Sequence, residues 1–140
     1  MLSRIAAAAT FCCASLWAGM SLAQELMADE FVGKFKVYAV GAKTALAYEN
    51  GRTLYTYEKD EPGKSNCTGA CAEAWPPAVA RADDKEFADF TVVTRADGAK
   101  QWAYKGKPLY MSAKDTANGQ ANGNAVDEQW YIVEMGGHEM

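Results

Sequence analysis

A tyrosine and an aspartate occur twice at the same spacing, and these side chains are the best suited in the chain to contact a ligand. Tyr55 is followed by Tyr57 and Asp60, and Tyr110 is followed by Asp115. A phenol and a carboxylate can hydrogen-bond a ligand, but an aspartate in a turn also accepts backbone N–H groups, and a buried tyrosine needs a partner for its hydroxyl. We expect the structural use, because architecture must be repeated in a duplication whereas a catalytic site need not be. Ligand contact is the alternative for Tyr55, Tyr57, Asp60, Tyr110 and Asp115.

Two cysteines, Cys67 and Cys71, form a CxxxC pair. Such a pair can bind copper or exchange electrons between thiol and disulfide, and thiolates near a helix N-terminus have a lowered pKa. A dinuclear copper centre would need a histidine shortly after the second cysteine, and the single histidine is His138. Cysteine pairs usually close in an oxidising compartment. We therefore predict a structural disulfide, with a redox or copper-handling protein as the alternative function.

The loop "DTANGQANGNAVDE", from Asp115 to Glu128, collects side-chain oxygens of the kind that calcium binds. Its order does not fit the EF-hand pattern, and Asn-Gly runs are equally typical of tight turns. We expect no metal and no cofactor; the weaker candidates for metal ligands are Asp115, Asn122, Asp127 and His138.

The N-terminal stretch is predicted to be a secretory signal and not part of the fold. Arg4 supplies its positive charge, the apolar run that follows is too short to span a bilayer, and Ser21-Leu22-Ala23 fits the small-x-small cleavage rule. We expect residues 1–23 to be removed, together with Cys12 and Cys13, leaving 24–140 as a single domain in the periplasm or outside the cell.

Charge excludes two classes of partner. The net charge is −4, and the part after residue 23 contains no cluster of lysine or arginine. Nucleic acid and anionic membrane surfaces are poor partners for such a chain, and no later apolar run is long enough for a membrane span.

The chain contains an internal duplication. "GRTLYTYEKDEPGKSNCTGACAEAW", from Gly51, aligns without a gap with "GKPLYMSAKDTANGQANGNAVDEQW", from Gly106, with eight identities in twenty-five positions. Roughly one or two would arise by chance. This alignment places Asn122 and Val126 opposite the two cysteines, so the unit can be built without the bridge. We predict two repeats, at about 34–80 and 89–135.

Each repeat is predicted to be β, turn, β, turn, β and loop. "KFKVYAV" alternates with the two-residue period of a half-buried strand, and Asn50-Gly51 and Lys105-Gly106 are hairpin turn signals. One short helical turn is expected at "ACAEA", since Pro76-Pro77 must end it. The predicted fold class is all-β, mainly antiparallel strands and hairpins with one or two short helical turns, and two homologous repeats in one domain.

Several of these segments resemble a known family. "YTYEKD" fits the Yx(FWY)xxD signature of a bacterial family of secreted repeats and predicted lipoproteins of unassigned function, and "DEPGKSNCTGACAEAWPP" and "RADGAKQWAYKGKPLY" are also similar to its sequences. Ser112 replaces the central aromatic residue of the signature in the second copy, and the lipid-attachment cysteine of many members is missing. The resemblance implies a secreted protein and does not imply an activity.

No arrangement of residues typical of catalysis is present in the sequence. It has no GxSxG elbow, no zinc-protease helix and no phosphate-binding loop, and the lone histidine has no fixed neighbours for a triad. The predicted function is therefore that of a non-enzymatic, envelope-associated or binding module, whose partner is an envelope component or a small ligand.

Overall fold

The computed structural model describes residues 30–136, which form antiparallel strands with one short helix. The predicted fold class is confirmed. The predicted signal peptide (residues 1–23) and His138 lie outside the described residues. Within residues 30–136, no helix is long and apolar enough to cross a membrane.

The strands fall into two sets that follow the two repeats. The first set comprises β1 (Glu30–Val32), β2 (Phe35–Val40), β3 (Lys43–Ala47) and β4 (Tyr55–Tyr57), and it is followed by helix α1 (Ala70–Ala74). The second set comprises β5 (Phe90–Thr94), β6 (Lys100–Tyr104), β7 (Lys107–Pro108) and β8 (Trp130–Ile132), with a 3-10 turn at Val126–Glu128 before the last strand.

Turn residues with positive φ allow the strands to fold back on one another. The tightest of the predicted turns joins β6 to β7, where Tyr104 pairs with Lys107. Lys105 and Gly106 between them have φ of 49° and 80°. A two-residue hairpin turn with positive φ at both positions matches the twist of the flanking strands, so the predicted turn is confirmed.

The two repeats exchange strands to form one domain. β4 of the first repeat pairs with β8 of the second, so that Tyr55 lies opposite Ile132. The equivalent residues in the opposite repeats, Tyr110 and Pro77, form the matching antiparallel bridge. The two three-stranded sheets, β1–β3 and β5–β7, are each formed within one repeat, whereas β4 and β8 join the repeats in a shared two-stranded sheet.

Equivalent aromatic residues of the two repeats meet in the core. Phe35 stacks on Phe90 with ring centroids 4.4 Å apart, and Trp75 stacks on Trp130 with centroids 3.9 Å apart. The two pairs belong to separate clusters of buried residues. A residue that contacts its own equivalent lies on a twofold axis, so an approximate twofold rotation relates the repeats.

The loop before each tryptophan departs by one residue from the gapless alignment. The backbone N–H of Asn66 donates to Asp60 Oδ1 at 2.6 Å, and that of Asn122 donates to Asp115 Oδ1 at 2.9 Å. Asn122 thus corresponds to Asn66, and the prediction that it stands in place of Cys67 is wrong. The second loop contains one additional residue between the aspartate and the asparagine, which residue identities alone did not locate.

Gly123 occupies the place in the second repeat that Cys67 occupies in the first. A Cβ at Gly123 would lie 2.5 Å from the Trp75 ring. Only glycine lets the loop approach the stacked tryptophans this closely.

Candidate functional site

The duplicated tyrosines lie at the centre of the molecule, side by side on the approximate axis. The N–H of Tyr55 donates to the carbonyl of Tyr110 at 2.8 Å, and the N–H of Tyr110 donates to the carbonyl of Tyr55 at 2.9 Å. Both residues have 0% exposure. The two motifs are therefore joined through their backbones before their side chains make any contact.

Each tyrosine hydroxyl binds the aspartate of the other repeat. The hydroxyl of Tyr55 donates to Asp115 Oδ2 at 2.5 Å, and that of Tyr110 donates to Asp60 Oδ2 at 2.7 Å. The two aspartates also accept the asparagine N–H groups described above, so each carboxylate links its own loop to a tyrosine across the axis. The tyrosine and aspartate of one motif therefore do not bind each other. Each forms its hydrogen bond with the motif of the other repeat.

The five predicted ligand-contacting residues differ in their access to solvent. Tyr55, Tyr110 and Asp115 are buried, whereas Tyr57 and Asp60 are half-buried. The Tyr55–Asp115 pair lies in the interior, whereas Asp60 of the other pair also lines a surface cleft, so the two pairs do not share one concave surface. A ligand at the surface can reach only the Asp60 side.

Burial keeps the tyrosines in their neutral, hydrogen-donating form. It raises the pKa of Tyr110 to about 12, and the neighbouring Asp60 carboxylate acts in the same direction. Burial also raises the pKa of Tyr55, and the hydrogen bond to Asp115 adds to that effect. The pKa of Asp60 is raised by burial against the hydrogen bonds from Tyr110 and Asn66, which favour its ionised form.

The Tyr110 side of the axis carries a buried polar network. Arg95, whose side chain is 3% exposed, donates from Nη1 to Ser65 Oγ at 2.9 Å and to Gln101 Oε1 at 2.7 Å. Its Nη2 donates to the Cys67 carbonyl at 2.6 Å. Ser65 Oγ in turn lies 2.5 Å from the Tyr110 hydroxyl oxygen. These acceptors satisfy hydrogen-bond donors of the buried guanidinium, and the Asp97 carboxylate lies 4.0 Å from its Nε.

The Tyr55 side of the axis is apolar at the equivalent positions. Val40 and Ala45 occupy the places of Arg95 and Gln101 and pack in the cluster that contains Tyr55. Arg95, Gln101 and Ser65 were not among the predicted site residues. A signal was available for the arginine, since it follows β5 where the first repeat has a valine at the end of β2.

The two cysteines form a disulfide, as predicted. The Cys67 and Cys71 sulfurs are 2.07 Å apart, and their Cα atoms are 5.2 Å apart. Cys67 is fully buried, and its carbonyl accepts the Arg95 hydrogen bond. The bridge thus encloses the start of α1 and fixes a carbonyl on which the buried arginine depends.

A surface cleft of about 220 Å³ opens beside Asp60. Three acidic residues, one lysine, one aromatic ring and two prolines line it: Tyr57, Glu58, Asp60, Glu61, Pro62, Lys107 and Pro108. The Tyr57 ring stacks on Trp130 with centroids 4.3 Å apart, and so extends the tryptophan pair to the wall of the cleft. Ser112 takes the place of Tyr57 in the other repeat and is buried.

The candidate metal ligands were predicted at Asp115, Asn122, Asp127 and His138, and the first three lie within the described residues. Within residues 30–136, no group of three or more His, Cys, Asp or Glu side chains is placed to hold a metal ion. Both oxygens of Asp115 already accept hydrogen bonds, from Tyr55 and from Asn122. Asp127 is exposed in the 3-10 turn.

Comparison with protein families identifies the duplicated unit. A family model described as a secreted repeat of unknown function matches residues 41–79 and again residues 91–134. The two matches overlap the predicted repeats at about 34–80 and 89–135. No curated protein and no solved structure shows significant similarity to the chain.

Proposed function

The chain belongs to this family of secreted repeats, and from that membership we propose that it acts outside the cytoplasm as a non-enzymatic, envelope-associated binding module. In this proposal the signal peptide is cut after Ala23, and residues 24–140 work in the periplasm or beyond it. The cleft beside Asp60 is the ligand-binding surface.

The observation that carries the proposal is the use of the motif's polar groups. Tyr55, Tyr110 and Asp115 are buried, and each hydroxyl is bonded to a carboxylate of the other repeat. Groups held in this way stabilise a scaffold and are not free to transfer protons to a substrate. The half-buried Tyr57 and Asp60 at the cleft are left to contact a ligand.

Co-sedimentation with isolated cell envelopes tests the binding function. The mature protein is expected to sediment with the envelope fraction, and Tyr57→Ser is expected to reduce the bound amount. Serine is compatible with the fold at that place, because Ser112 occupies the equivalent position. Tyr131→Ser is the matched control, since Tyr131 is 37% exposed and lies outside the cleft. Equal retention of both variants would contradict a role for the cleft.

A panel of hydrolase and oxidoreductase substrates tests the non-enzymatic part. No turnover is expected from the mature protein. Turnover that disappears in a folded Asp60→Asn variant would overturn the proposal and would make Asp60 a catalytic residue.

We assign the disulfide a structural role within the same proposal. The complete burial of Cys67 and the hydrogen bond to its carbonyl support this assignment over redox or copper handling. Thiol counting and copper analysis on protein purified from the periplasm discriminate the two. Free thiols or bound copper in the purified protein would favour the redox or copper-handling alternative.

A further inference from the structure

We propose that the cleft beside Asp60 binds a cationic alkyl group, a guanidinium or an ammonium, carried by a small ligand. This inference rests on the proposed binding function and names the ligand class. It is drawn from a comparison of the cleft with the equivalent place in the second repeat.

A guanidinium of the protein itself crosses that equivalent place. The partners of Lys107 and Asp60 in the repeat alignment are Arg52 and Asp115, at the same spacing of fifty-five residues. Arg52 Nη1 donates to the carbonyl oxygen of Asp115 at 2.7 Å. The second repeat therefore contains its own cation at the main-chain carbonyl of its aspartate, and the corresponding acceptor in the first repeat is the main-chain carbonyl of Asp60.

Neighbouring side chains fill the rest of that place. Asn118 packs directly on Gly51, where a Cβ would be 2.3 Å from the Asn118 oxygen. The hydroxyl of Thr53 donates to the Gln120 carbonyl at 2.5 Å and holds the loop against the strand. The contacts around Arg52 are thus those of an occupied site.

The cleft in the first repeat keeps the loop contact but lacks the internal cation. Lys107 is exposed, and its ammonium group makes no hydrogen bond or ion pair within residues 30–136. The facing loop is fixed at the rim of the cleft, because the N–H of Gly63 donates to the carbonyl of Gly106 at 2.8 Å, the counterpart of the contact between Asn118 and Gly51, and Lys64 pairs with Glu61 at 3.3 Å. Lys107 does not bond to the Asp60 loop as Arg52 bonds to the Asp115 loop. The corresponding space in the first repeat is therefore open and forms the cleft.

The lining fits a cation. The three carboxylates of Glu58, Asp60 and Glu61 exceed by one the ammonium groups of Lys107 and of Lys64, which pairs with Glu61, so the cleft has a net negative charge that attracts cations. Hydrogen bonds from Tyr110 and Asn66 fix the Asp60 carboxylate in place. The Tyr57 ring and the two prolines offer apolar walls to an alkyl chain, and an aromatic face also attracts a cation.

Titration of the isotope-labelled mature protein with agmatine, followed by amide chemical shifts, tests the inference. Agmatine carries a guanidinium and an ammonium on a short alkyl chain. At low ionic strength we expect shifts concentrated at residues 57–62 and 106–108. Higher salt should weaken the binding, because the charges are near the surface.

Two variants assign the effect to the cleft. Glu58→Gln combined with Glu61→Gln is expected to weaken agmatine binding by about fivefold or more, since both are exposed carboxylates. Lys107→Ala removes the competing cation and is expected to tighten binding. Glu128→Gln with Glu134→Gln removes the same charge from exposed positions outside the cleft and should leave the affinity unchanged.

The outcomes separate this inference from the proposed function. If agmatine leaves the cleft amides unmoved while the protein still sediments with envelopes in a Tyr57-dependent way, the cation is the wrong ligand class and the binding function stands. If agmatine is silent and envelope retention is absent, both fail. Equal loss of affinity in the cleft variant and in the control would also overturn the inference, since the effect would then come from net charge alone.

Discussion

Tyr55 forms a buried hydrogen bond with Asp115 of the other repeat and none with Asp60 of its own repeat. A double-mutant cycle on Tyr55→Phe and Asp115→Asn is therefore expected to give a coupling energy of about 0.5–3 kcal/mol in the free energy of unfolding. The same cycle on Tyr55→Phe and Asp60→Asn should give a value close to zero. Chemical denaturation measures both, and the reverse ranking would contradict the crossed pairing.

The buried phenols also make stability dependent on alkaline pH. Because burial raises the pKa of Tyr110 to about 12, well above that of an unfolded tyrosine, the folded state holds the phenolic proton more tightly. Its contribution to stability is complete below the unfolded pKa of about 10 and is lost as pH rises through the folded value. Denaturation midpoints measured up to about pH 12 check this. Tyr110→Phe should flatten the decline, and an equal decline in the variant would assign it to other groups.

Sequence spacing identified Tyr55, Asp60, Tyr110 and Asp115 as a set but could not pair them. The repeat alignment compares each tyrosine with the aspartate that follows it, whereas the hydrogen bond joins residues sixty and fifty positions apart. The pairing depends on how the repeats are rotated about each other. The role of Arg95 was not predicted for a similar reason. Its hydrogen-bond acceptors lie in a loop about thirty residues away and in the neighbouring strand.

The disulfide between Cys67 and Cys71 closes a short loop at the start of α1, so its effect on stability can be measured separately. Replacing Cys67 and Cys71 together with serine is expected to lower the free energy of unfolding by roughly 2 kcal/mol, because the bridge closes only a short loop in the unfolded chain. Denaturation with and without a dithiol reductant measures the change. The wild-type protein in reductant should match the variant, and the variant should not respond to the reductant.

Turns were predictable where local residues determine the backbone, and loops were not. Lys105-Gly106 adopts positive φ at both positions, as its residue types favour. In the longer loops, Asn66 and Asn122 align only after a one-residue shift. Their positions are set by the hydrogen bonds to Asp60 and Asp115, and the number of residues between aspartate and asparagine differs between the two loops. The close approach of Gly123 to Trp75 is a tertiary contact and leaves no local signal.

The molecule as a whole is expected to unfold as one unit. Both core clusters contain residues of both repeats, so neither repeat can lose its packing while the other keeps it. Calorimetry should give a ratio of calorimetric to van't Hoff enthalpy of about one. Leu46→Ala in the first repeat and Leu109→Ala in the second should each lower the stability of the same transition by about 2–5 kcal/mol. Separate transitions, each sensitive to one variant, would contradict the shared core.

The reciprocal bonds between Tyr55 and Asp115 and between Tyr110 and Asp60 are those that two identical polypeptides would form as a symmetric dimer. In such a dimer every substitution enters both sites at once, and a buried arginine would have to be accommodated twice. Covalent linkage of the halves removes this restriction. Arg95 and Val40 at matching places show how far one half has since departed from the other while the contacts that join them were kept.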